Sequence, residues 1–136
     1  MESCNWIVWT AIAVGGVVGA WIRWSLARLV TRASTGRPGP FDPGWATLGA
    51  NLLGCFLLGG LLSLPSLSEP GAQGLRAAFP AFATTGLCGS LSSFSTLCAD
   101  AVRQASAGPG RRALIYVLAH LAGGPFALWL GSTVTR

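Results

Sequence analysis

Four apolar runs, each about as long as a bilayer is thick, are separated by short stretches crowded with Pro and Gly. A spanning helix needs about 20 mostly apolar residues. The runs cover residues 6–30, 45–64, 75–102 and 113–134. The stretches between them read TRASTGRPGPFDPG, PSLSEPGAQG and RQASAGPGRR, and such sequences form turns and loops. Only 10% of residues are charged and 51% are hydrophobic. A soluble domain carries about 25% charge, so a soluble globular enzyme is excluded. Disorder is excluded too, because it needs low hydrophobicity and high charge. The expectation is an all-α membrane protein, with four transmembrane helices in one domain over residues 1–136. Trp6 and Trp9 suit the interfacial belt at the start of the first span.

Every basic residue is Arg, and the net charge is +5. The arginines fall between apolar runs rather than along one face, which points to loop anchoring and away from nucleic acid. Loops one and three carry Arg28, Arg32, Arg37, Arg103, Arg111 and Arg112, whereas the opposite side carries Arg76 and Arg136. By the positive-inside rule loops one and three are cytoplasmic and both termini lie outside a multi-pass plasma-membrane protein. The four cysteines, Cys4, Cys55, Cys88 and Cys98, form no C-x-x-C pair, so neither a disulfide framework nor a zinc site is expected.

The third run is too long for a straight crossing. A helix of about 28 residues would reach about 42 Å at ~1.5 Å per residue, against a hydrocarbon core of about 30 Å. Its middle reads TTGLCGSLSSFST. Irregular backbone at membrane depth is tolerated only inside protein or beside a wet cavity. The third helix is therefore expected to be broken near mid-membrane, between Gly86 and Ser92, and to face protein.

Catalytic groups are scarce. His120 is the single histidine, and the acids are Glu2, Asp42, Glu69 and Asp100, three of them at termini or in loops. No carboxylate is expected inside a span with a partner. No nucleophile, base and orienting group stand at a usable spacing. The informative residues are polar and neutral. Asn51 lies in the middle of span two, where an amide must be hydrogen-bonded or wet; it either bonds a neighbouring helix or donates to a permeating anion. Ser92, Ser93, Ser95 and Thr96 surround Phe94. A half-helix starting near Ser92 would aim free N–H groups at an anion, with carbonyls across the gap suited to a cation; alternatively the hydroxyls bond their own helix. The edge of the Phe94 ring is electropositive and can accept an anion, although packing alone also accounts for the ring. In span one, Gly15 and Gly19 have the spacing of close helix approach. Arg23 either snorkels to the interface or draws anions into a vestibule.

Together, GGVVGAWIRW, ATLGANLLG, GLCGSLSSFSTL and ALIYVLAHLAGG, in this order along essentially the whole chain, resemble the small fluoride channels called Fluc or CrcB. The resemblance implies a dual-topology dimer of antiparallel subunits with two narrow fluoride pathways and a central structural sodium ion. It implies that Asn51 is the pore amide and Phe94 the first of two ring-edge phenylalanines. Ser95 and Thr96 would line a hydroxyl track with Thr47 and Tyr116 nearby, and the backbone carbonyls of Gly89 and Ser92 would hold the sodium. The family usually reads T-T-F-S-T-F where this chain has SSFSTL. Leu97 stands in place of the second phenylalanine, and His120 stands where serine is expected.

A passive pore must replace the water of a strongly hydrated anion with neutral donors, yet let the ion leave. Asn51, Ser95 and Thr96 are donors of that kind. The arginine bias further suggests a fixed orientation and an oppositely inserted, paralogous partner, so a heterodimer stands beside the homodimer. His120, which can change charge between about pH 5 and 8, invites a pH-dependent flux; burial would keep it neutral. Two other functions stay open. One is a non-conducting accessory subunit, which Leu97 keeps in play. The other is a small proton-coupled multidrug exporter, which needs a carboxylate in span one that this sequence lacks.

Overall fold

The computed structural model describes residues 3–34, 44–67 and 74–135. Glu2, Arg37, Asp42, Glu69 and Arg136 lie outside the described residues. All regular structure among the described residues is helical. Helix α1 covers Ser3–Ser34 and α2 covers Gly44–Leu62, followed by a short 3-10 turn at Pro65–Leu67. The third span is a composite. It begins as α3 (Leu75–Pro80), widens into a π-helix over Ala81–Cys88, and closes with one α-turn, α4 (Gly89–Leu91). After Ser92 and Ser93 it resumes as α5 (Phe94–Ala107). Helix α6 runs over Gly110–Val134. Three of the helices, over Trp6–Arg32, Gly44–Leu62 and Gly110–Val134, are long and apolar enough to cross a membrane. The interrupted third span makes the fourth.

Helix α1 outruns the apolar stretch at both ends and carries Arg28 and Arg32 on helical backbone. The Arg28 guanidinium lies 4.5 Å above the Trp24 ring. All six tryptophans are exposed, together with much of the large apolar surface, as expected where the solvent is lipid.

Packing is set by glycines. A Cβ on Gly59 would strike the Leu128 carbonyl, and one on Gly131 would strike the Phe56 carbonyl. The backbones of α2 and α6 therefore touch, running parallel. Two hydroxyls bridge the far end of this pair: Ser63 Oγ donates to the Ser132 carbonyl at 3.2 Å and Thr135 Oγ1 to the Gly60 carbonyl at 3.2 Å. A second parallel pair joins α1 to the first half of span three. A Cβ on Gly15 would meet the Phe82 carbonyl, one on Gly19 the Leu87 carbonyl, and one on Gly86 would come within 2.7 Å of the Ile12 carbonyl. The small-residue spacing in GGVVGA thus serves close approach, as expected.

Pro80 explains where the π-helix starts. It has no N–H to continue the ladder, and its own carbonyl accepts the Thr84 hydroxyl at 2.7 Å. The break falls at the far end of the expected stretch. Gly86 and Gly89 are both helical, and the chain leaves the helix at Ser92 and Ser93. Gly86 is a contact point for α1 and not a breaker.

A candidate anion pathway at the helix break

Ser92 and Ser93 are extended, with φ, ψ of −83°, 148° and −147°, 108°. In a continuous helix the Ser93 N–H would bond the Gly89 carbonyl. Here it donates instead to Asn51 Oδ1 at 2.8 Å. A side chain on α2 therefore takes over a backbone bond and stabilises the break. The same contact orients the amide, because its oxygen must face the N–H. Both hydrogens of the Asn51 nitrogen are outside this bond. Asn51 is helix-to-helix glue through one atom and a positioned donor through the other.

Ser93 caps α5. Its Oγ accepts the Thr96 N–H at 3.3 Å and lies 2.8 Å from Thr96 Oγ1 and 3.3 Å from Ser95 Oγ. The half-helix thus opens at Phe94, two residues later than expected. Ser92 Oγ donates back to the Cys88 carbonyl at 3.3 Å, so this hydroxyl does bond its own helix.

The largest departure from expectation is Asp100. It lies inside span three, only 6% exposed, and it is partnered on three sides. Thr47 Oγ1 donates to Asp100 Oδ2 at 2.7 Å, and the Tyr116 hydroxyl donates to the same oxygen at 3.3 Å. Arg103 reaches Oδ1 at 2.9 Å. The expectation that no carboxylate sits within a span with a partner is therefore corrected. A buried carboxylate needs hydrogen bonds and a cation to offset its lost hydration, and this one has both. Thr47 and Tyr116 meet at Asp100, and their hydroxyl hydrogens are turned toward it.

Arg23, Thr47 and Thr96 line one cavity of about 230 Å³, with Ala20, Trp24, Ala27 and Ala46. Arg23 thus shares a cavity wall with Thr47 and Thr96. His120 lies one turn along α6 from Tyr116. Its ring meets the Tyr116 ring edge-on at 4.5 Å, and its Nδ1 is 2.9 Å from the Tyr116 carbonyl. A carbonyl can only accept, so Nδ1 carries the proton. Nε2 is buried and has no partner among the described residues. Such an unmet polar atom costs about 1–3 kcal/mol.

Contacts chain these residues into a polar lane: Asn51 through Ser93 to Thr96, Thr96 and Arg23 to the cavity they share with Thr47, and Thr47 through Asp100 to Tyr116 and His120. Phe94 stands apart, 77% exposed on the outer face of the chain, and Ser95 is exposed beside it. Leu97 is half-buried, and Gly89 faces outward. Asp100 had a sequence signal. Thr47 and Asn51, Thr96 and Asp100, and Tyr116 and His120 are three polar pairs spaced four residues apart. That spacing puts each pair on one helix face, and the three faces meet.

A family model described as "CrcB-like protein, Camphor Resistance (CrcB)" matches residues 10–132. A protein of Marinobacter nauticus, "Fluoride-specific ion channel FluC", is 36% identical over 89% of this chain and 88% of its own length. The protein of that name from Ralstonia pickettii is 32% identical over 93% of this chain and 92% of its own. "Fluoride-specific ion channel FluC 2" of Moorella thermoacetica is 34% identical over 92% and 93%. With nearly its full length matched and the glycine seams and broken third span in place, the chain belongs to the CrcB family.

Proposed function

We propose that this protein is a passive fluoride-selective channel, not an enzyme, and that it vents fluoride from the cytoplasm across the plasma membrane. The observation that carries the reading is Asn51. Its oxygen is held by the Ser93 N–H, so its nitrogen is fixed as a donor pair at the helix break. A neutral donor can replace water around a small anion without trapping it. The fluoride channels named among its relatives support the same reading. Arg23 concentrates anions at the cavity, and Thr96 offers its hydroxyl there. An anion reaching the Thr47 and Tyr116 hydroxyls competes with the Asp100 carboxylate for them.

The working unit is an antiparallel dimer, in which the outward-facing Phe94 ring of one subunit meets its partner. Sodium fits the break. Diverting the Ser93 N–H to Asn51 leaves the Gly89 carbonyl without its helical bond, and the extended Ser92 turns its own carbonyl off the helix line. These two oxygens would hold the ion, which supplies fixed positive charge and ties the breaks of two subunits together. Where the two subunits are unlike, the arginine bias sets loops one and three of this chain in the cytoplasm and its termini outside. A second reading, favoured by Leu97 in place of a ring, is a subunit that conducts only beside a different, oppositely inserted partner.

Fluoride efflux from liposomes carrying this chain alone, followed with a fluoride electrode and no proton gradient, tests the proposal. Efflux well above bare lipid is expected. Asn51→Asp keeps the acceptor for Ser93 but replaces the donor pair with negative charge, and it should cut efflux by about 100-fold. Efflux no faster than bare lipid overturns the self-sufficient channel. Activity that returns only with a partner chain favours the second reading.

A further inference from the structure

We infer that His120 is a proton-dependent part of the anion pathway: its ring presents a bare lone pair to the buried lane when neutral and an N–H donor when protonated. The inference rests on the fluoride-channel reading and adds regulation to it. Three observations carry it. First, Nδ1 is committed as a donor to the Tyr116 carbonyl at 2.9 Å. The neutral ring therefore has its acceptor at Nε2, with no tautomeric escape. Second, Nε2 is buried without a partner on a residue only 8% exposed. Third, the ring stacks edge-on against Tyr116, whose hydroxyl binds the carboxylate held by Thr47. His120 thus adjoins the lane itself and not a separate pocket.

A lone pair aimed into an anion pathway repels the anion. Protonation of Nε2 reverses this, adding a second donor and a full positive charge at the same point. The ring need not move, because Nδ1 keeps its bond in both states. The titratable groups on the helices packed against α6 leave that switch to His120. Helix α2 carries Cys55, which lies against Gly124, a turn beyond His120. Helix α5 carries Cys98, which is exposed, and Asp100, which is paired with Arg103. On α6 itself there are Arg111, Arg112 and Tyr116. Conduction should rise as the medium becomes acidic, which is also when fluoride enters cells fastest as neutral HF.

The test is fluoride efflux from liposomes at matched internal and external pH between 5 and 8, with the leak of protein-free vesicles subtracted at each pH. The wild-type chain should conduct about tenfold faster at the acid end than at the alkaline end, across the range in which imidazole changes charge. His120→Gln offers an amide donor at every pH and should flatten the profile, as should His120→Ser. A wild-type profile that is flat but well above bare lipid overturns the inference and leaves the channel intact. A pH dependence that persists in both variants also overturns it. Efflux equal to bare lipid at every pH overturns the self-sufficient channel, and the inference with it. Since the wild-type profile is decisive alone, poor folding of a variant does not rescue the inference.

Discussion

The two halves of the third span share a sequence run but are built on different principles. The first half, residues 75–91, is bulged and small-faced, and it lies backbone-to-backbone against α1 through Gly15, Gly19 and Gly86. The second half, Phe94–Ala107, touches its neighbours through side chains: Asp100 to Thr47 and Tyr116, and Ser93 to Asn51 through its N–H. Its apolar face, including Phe94 and Val102, is left exposed. One half is a dry seam that fixes position. The other presents polar groups to a lane and an aromatic ring to the outside. The break at Ser92 and Ser93 lets a single span do both, because it frees the second half from the geometry the first half imposes.

If the seams are steric and the lane is chemical, substitutions should separate them. The largest effect is expected at Gly59, where the obstacle is the Leu128 main chain. Gly59→Leu should destabilise the fold by more than about 3 kcal/mol, seen as loss of monodisperse protein in detergent. Gly49→Ala, with open space around its Cβ, should be neutral or stabilise by up to about 1 kcal/mol. Equal tolerance at both sites would break the comparison. Next comes Asp100→Ala, which strands the Thr47 and Tyr116 hydroxyls in the interior and should cost about 2 kcal/mol in denaturant or thermal unfolding. Asp100→Asn keeps an acceptor and should lose less. The mildest change is Arg23→Gln. It should reduce fluoride efflux about threefold at ~0.01 M ionic strength and lose its effect near ~1 M salt, since screening removes long-range attraction. A salt-independent loss would mean that Arg23 acts by contact.

The four spans could be read from apolar length and Pro/Gly punctuation, and the existence of a break from the hydroxyl cluster at depth. Its place within Gly86 to Ser92 could not. Gly86 and Gly89 look like helix breakers in isolation, and only the approach of Ile12 to Gly86 shows that the smaller residue makes room for a neighbour. Asn51 was legible as a polar residue in an apolar run, whereas Thr47 and Tyr116 came only through the family resemblance. Asp100 was hidden for a different reason. The bond that keeps it in the core comes from Thr47, 53 residues away in sequence, and the local hint is only its four-residue spacing from Thr96. Ring placement was equally out of reach, because whether Phe94 faces its own chain or the outside depends on how α5 docks after the break.

Those reciprocal glycines have a consequence for how such a chain can drift. A side chain that blocks a neighbour can be trimmed by a second mutation, but a carbonyl belongs to every residue and cannot be mutated away. Gly59 and Gly131, each facing the other helix's main chain, therefore have no compensating partner to evolve. The lane is made of side chains, each of which a second mutation can retune. A frozen frame is what leaves the lining free to experiment.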